Sequence, residues 1–138
     1  MIKRLIIILT ILVGFSFANV YASSSWQRLA QDKSGTFCAI DMNNSKYIGG
    51  DGNIGIAYIS SVPTQGNITI AEAVINNKTG YYTIRRVFIY ARGSHKLLDY
   101  VTIQHPESKP VDTQPIIALA RKAMWPNSKL IIKGVEYK

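Results

Sequence analysis

The chain has 138 residues, a net charge of +8 and 47 % apolar residues, with a single cysteine, Cys38. That length can bury a modest core without metal or disulfide support, and the lone cysteine excludes an intramolecular disulfide. The N-terminus reads Met1-Ile2-Lys3-Arg4, then an apolar run from Leu5 through Phe17, then Val20-Tyr21-Ala22. Cations, a short greasy stretch and small residues at Val20 and Ala22 predict a cleaved secretory signal over 1–22, with Ala18 as an alternative cut. The segment Leu5 to Ala18 is shorter than the roughly 17–25 apolar residues that span a bilayer, which argues against an uncleaved anchor. No cysteine near the cut offers a lipid attachment.

Cleavage takes 22 residues from 138 and leaves 116, one domain over 23–138. Loss of Lys3 and Arg4 lowers the charge from +8 to +6. That balance suits an acidic partner such as a lipid head group, an anionic polysaccharide, a nucleic acid or an acidic protein face, and equally suits plain solubility. Short apolar runs alternating with turn residues then predict an antiparallel β domain. Strands are expected at 26–30, 36–40, 54–61, 68–75, 81–91 and 97–103. The turns between them carry Asp32-Lys33-Ser34-Gly35, Gly49-Gly50-Asp51-Gly52-Asn53, Pro63 to Asn67, Asn76 to Gly80 and Arg92 to Lys96. Gly55 and Ala57 leave one face of their strand thin, so a close neighbour is expected there.

One helix is expected, at about 112–124, capped by Asp112 or Thr113, with Pro115 in its first turn. Ile116, Leu119, Ala120 and Ala123 would form its buried stripe. Arg121 and Lys122 sit near its end, and Trp125-Pro126 stops it. Leu130 to Val135 reads as a last short strand or an extended tail. The fold class is therefore α+β, mainly β: an antiparallel sheet of about six strands with one C-terminal helix packed on it.

Trp26, the run Phe37-Cys38-Ala39-Ile40-Asp41 with Ser45, the strand Tyr81 to Tyr90 and the step His105-Pro106-Glu107-Ser108 before the helix together resemble the surface-adhesin protein E family. The likeness spans roughly residues 26 to 125. Many relatives carry one cysteine on the middle strand and one closing the helix, where this chain has Thr83 and Trp125. The resemblance implies a small antiparallel sheet with one helix in the bacterial envelope, and adhesion to host matrix or serum proteins.

The residues themselves suggest no catalytic constellation. His95 lies in a turn and His105 in a loop, and neither is tied to Cys38, whose place in an apolar alternation predicts a buried thiol. Two histidines ten residues apart match no zinc spacing. Asp51-Gly52-Asn53 lacks the later ligands of a calcium loop, and Gly49-Gly50-Asp51-Gly52 lacks the Lys-Ser/Thr of a phosphate loop. Asn43, Asn67 and Asn77 are formal glycosylation acceptors, which matter only in a eukaryotic pathway. No cofactor, metal or nucleic-acid partner is expected.

What remains is a surface. Arg85 and Arg86 are expected on opposite faces of strand 81–91, with Lys78, Arg92 and Lys96 in the bracketing turns and Tyr81 and Tyr90 as rigid contacts. The competing reading packs the arginine stem on the sheet and pairs its head with Glu72 or Asp99. The functions compatible with these features are an adhesin-like binding domain in the periplasm or at the cell surface, or a periplasmic protein that engages a partner chain through a sheet edge. A small hydrolase or enzyme inhibitor would instead need a deep polar pocket with a titrating histidine.

Overall fold

The computed structural model describes residues 26–137. The expected signal at 1–22 lies outside the described residues. An antiparallel sheet is built from β1 (Trp26–Gln31), β2 (Phe37–Asp41), β3 (Lys46–Ile48), β4 (Ile54–Val62), β5 (Ile68–Asn76), β6 (Tyr81–Tyr90), β7 (Leu97–Thr102) and β8 (Lys109–Pro110). The main path runs β1-β2-β4-β5-β6-β7; β3 pairs with the start of β4, and β8 with the start of β6. A 3-10 turn over Val111–Thr113 leads into the single α-helix, α1 (Pro115–Met124). The hairpin β9 (Leu130–Ile132) and β10 (Val135–Tyr137) follows it.

The β5–β6 hairpin shows why the turn residues stand where they do. Asn76 Oδ1 accepts from the N–H groups of Lys78 and Thr79, and Gly80 takes a φ of +77°, a conformation that favours glycine. One face of the sheet packs on α1. Ile40, Ala57, Ile59, Ala73 and Ile75 form a core there with Val111, Ile117, Ala118, Ala120 and Met124. Gly55 is the point of closest approach: a Cβ on it would lie 2.6 Å from Met124 Cε and 2.9 Å from Trp125 Cη2. The thin face expected at Gly55 and Ala57 is thus filled by the helix end.

The helix starts later than the sequence suggests. Gln114 is the N-cap, its side chain accepting from Ile116 N, while Asp112 and Thr113 fall in the 3-10 turn. Thr113 Oγ1 donates instead to Pro110 O. The fully buried positions are Ile117, Ala118, Ala120 and Met124 rather than the expected stripe of Ile116, Leu119, Ala120 and Ala123. Ile116 and Ala123 pack partly buried against the same core, so the buried face is rotated from the expected stripe. Arg121 donates to Oδ1 and the backbone carbonyl of Asn77, which locks the helix to the β5–β6 turn.

The opposite face has no helix, yet Phe37, Val62, Ile68, Ser60 and Glu72 are buried on it. The sheet itself curls to cover them. Trp26 on β1 and Phe88 and Tyr90 on β6 line one cleft, although β2, β4 and β5 lie between those strands. In a flat sheet they would stand roughly 19 Å apart, four strand spacings.

Candidate functional site

Two features of the curled sheet offer contacts: its concave face and its last strand. The concave face is organised by a bulge in β6. Glu72 stands opposite Arg86, but Ala73 stands opposite Ile84, so Arg85 is the extra residue. A bulge breaks strict alternation and re-aims side chains. As a result Tyr82 and Ile84 join the helix-side core, whereas Phe88 and Tyr90 face the concave side.

The bulge also corrects the expectation that Arg85 and Arg86 point to opposite faces. Both reach the same carboxylate. Arg86 Nε donates to Glu72 Oε1 at 2.9 Å and Nη2 to Oε2 at 2.7 Å, a bidentate pair, and Arg85 Nε lies 3.9 Å from Oε1. Tyr58 donates its hydroxyl to Oε2 at 2.8 Å. Glu72 is only 2 % exposed, so these partners offset the cost of burying its charge. The Arg86 hydrogen bonds hold its carboxyl below the usual carboxylate range, against the opposing effect of burial. The guanidinium of Arg86 also stands 5.4 Å from the Phe88 ring centre. The pairing of an arginine with Glu72 is the one seen; Asp99 is elsewhere, on β7.

The other basic residues do not gather around this pair. Lys78 lies in the β5–β6 turn and Arg92 and Lys96 in the β6–β7 turn, at opposite ends of a ten-residue strand, roughly 30 Å of extended chain. Arg92 Nε donates to Gly66 O. Tyr81 is exposed and pairs in register with Pro110, while Tyr90 lines the concave cleft. That cleft has a volume of about 360 Å³ and is walled by Trp26, Tyr58, Ile70, Phe88 and Tyr90, with Asp41, Asn44 and Lys46 completing its lining.

The last strand of the sheet path, β7, is exposed along its whole length. Leu97 is 44 %, Leu98 52 %, Tyr100 57 % and Val101 47 % exposed. It pairs with β6 alone, through Val87–Val101 and Ile89–Asp99 among others. Ile103 N donates inward to Arg85 O. The alternation of an antiparallel ladder therefore turns the backbone groups of Thr102 and Tyr100 outward. Asp99, the sole charge on the strand, accepts from Tyr100 N with its Oδ1 at 2.8 Å.

His95 and His105 lie before and after β7 respectively, at opposite ends of that strand. His105 borders a depression of about 310 Å³ with Glu107 and Lys109. Cys38 is half-buried, and burial raises its thiol pKa, which disfavours a reactive thiolate. Among the described residues no cluster of three His, Cys, Asp or Glu is placed to hold a metal, and no helix is long and apolar enough to cross a membrane.

No family model matches the chain, and no match was found among curated proteins or solved structures.

Sequence reasoning missed β3, β8 and the role of β7. A signal for the last was present: Leu97-Leu98-Asp99-Tyr100-Val101 has apolar residues on both parities and one charge, as a strand covered on both faces would. That pattern reads as burial until the strand is found at an edge.

Proposed function

We propose that this chain is an exported, non-enzymatic binding domain of the bacterial cell envelope that recruits a partner chain by strand addition at β7. The observation that carries this reading is the exposure of four large apolar side chains on an unpaired sheet edge. Natural sheets blunt such edges with lysine, proline, bulges or a covering segment, because an open edge is a template for another strand. In strand addition the backbone hydrogen bonds supply affinity and alternate side-chain pockets supply specificity.

The resemblance to the surface-adhesin protein E family supports the envelope location and a protein partner. The expected contacts through the basic, tyrosine-bearing strand 81–91 are disfavoured, because Arg85 and Arg86 are engaged with Glu72 and the remaining cations are dispersed. That arrangement moves the proposed contact from β6 to its neighbour. The positions of His95 and His105 at opposite ends of β7 support a binding role over a hydrolytic one.

The test is a photoreactive residue placed at Leu98 or, for comparison, at Gln31 on the opposite edge, in cells carrying the full chain. Leu98 should yield one discrete cross-linked adduct and Gln31 none. Equal labelling from both edges, or no adduct from Leu98, would overturn the proposal.

A further inference from the structure

The concave cleft is lined by strands other than β7, although Phe88 in its wall meets Tyr100 of β7, and it has its own chemistry. Its walls are aromatic on several sides: Trp26 from β1, Tyr58 from β4, and Phe88 and Tyr90 from β6. Its polar lining carries both signs, Asp41 and Lys46, together with the amide of Asn44. At about 360 Å³ it falls at the lower end of small-molecule sites, which run from roughly 300 to 1,000 Å³.

Several of these groups are held in place before any ligand arrives. Tyr58 is fixed at both ends, its hydroxyl on Glu72 and its backbone N–H on Ser45 Oγ. Asp41 is nearly buried and accepts from Asn43 N, Asn44 N and Asn44 Nδ2. Phe88 is flanked by the Arg86 guanidinium and by the Tyr100 ring at 6.1 Å. Such fixed walls reduce the ordering cost that a ligand would otherwise meet.

The kind of ligand follows from the balance of charge and ring surface. A quaternary ammonium would favour an aromatic cage, but Lys46 in the lining and Arg86 beside Phe88 oppose a cation. An anion would meet Asp41. A neutral ring compound with apolar C–H faces and many hydroxyls suits both: its faces lie on the aromatic walls, and its hydroxyls exchange hydrogen bonds with Asp41, Asn44 and Lys46. We infer that this cleft is a binding site for a neutral saccharide, held by aromatic contact with Trp26 and Tyr90 and oriented by Lys46, Asn44 and Asp41.

The experiment reads the fluorescence of Trp26 in a Trp125→Phe background, titrated with chitotetraose, cellotetraose and maltotetraose, and with choline as a cationic control. At least one tetrasaccharide should give a saturable change below about 10 mM. Tyr90→Ala should weaken it about tenfold, and Lys46→Ala, an exposed site whose change spares the packing, about threefold. Leu98→Lys on β7, outside the cleft lining, should bind as the parent does. Three outcomes would overturn the site: no saturable change with any tetrasaccharide, tighter binding of choline, or saccharide binding that Lys46→Ala leaves intact.

Discussion

The two edges of the sheet are built to opposite plans. At β1 the chain carries Gln27, Arg28 and Gln31, and a register shift between Arg28 and Ala30 inserts Leu29, which packs against the helix-side core. The Arg28 guanidinium lies 4.4 Å from the Phe37 ring centre, covering it, and partial burial draws its pKa down to about 9, still protonated at neutral pH. At β7 four apolar side chains face solvent, and Asp99 is the strand's lone charge. Both edges carry a register shift, at Leu29 in β1 and at Leu98 in β7, but only β1 adds a cation that covers an apolar ring, and β7 keeps its apolar side chains open. The contrast teaches that the open edge is not a general property of this small fold but a local choice.

The largest effect should come from the core on which both edges depend. Ile75→Ala, at a fully buried position between them, should cost about 2–5 kcal/mol and release β1 and β7 in a single denaturant transition. Two separate transitions would show that the edges belong to different folding units.

Next is the carboxylate beneath the concave face. Because the folded pKa of Glu72 is depressed, its contribution is complete above its unfolded value of about 4.3 and is lost as pH falls through the lower folded value. Glu72→Gln should therefore cost about 1–2 kcal/mol at neutral pH and flatten the loss of stability below about pH 4. Hydrogen exchange in acid should loosen β6 and β7 before β1. Parallel loosening would remove this distinction between the edges.

Smaller again is Arg28→Ala, which uncovers Phe37 and should cost about 1 kcal/mol. It should also bring new labelling from Gln31 in the cross-linking assay, turning a closed edge into an open one. The smallest change in stability, under about 0.5 kcal/mol, belongs to Leu98→Lys, because that side chain is already half exposed. Its effect should appear in recruitment alone, as loss of the adduct formed from a photoreactive residue at Val101.

Most of the fold was legible because turn chemistry and apolar alternation agree along the chain. Asn76 to Gly80 and Asp32 to Gly35 punctuate strands whose bounds match the structure within a residue or two. The short strands β3 and β8 were not legible. Tyr47-Ile48 is followed by a glycine-rich loop, and Lys109-Pro110 is too brief for any period to show. The helix boundary was misplaced because Asp112 and Thr113 are good caps by type, yet the 3-10 turn uses them first. At the candidate site, the pairing of an arginine with Glu72 was foreseeable from opposite charges on neighbouring strands. The bulge was not, since nothing in Ile84-Arg85-Arg86-Val87 marks an extra residue. That one residue decides which side chains reach the concave face, so the aromatic cleft was hidden with it.

The close approach at Gly55 also bears on when the molecule becomes complete. Met124 and Trp125 close against Gly55, with Trp125 Nε1 donating to Gly52 O and the Tyr47 hydroxyl to Met124 O. These contacts join residues 73 and 77 positions apart in the chain, so they form only once the intervening sheet has brought the two ends together. Until α1 docks, the side of the sheet that carries Ile40, Ala57, Ile59, Ala73 and Ile75 is bare. Loop closure over that distance makes docking of the helix end a late step of folding.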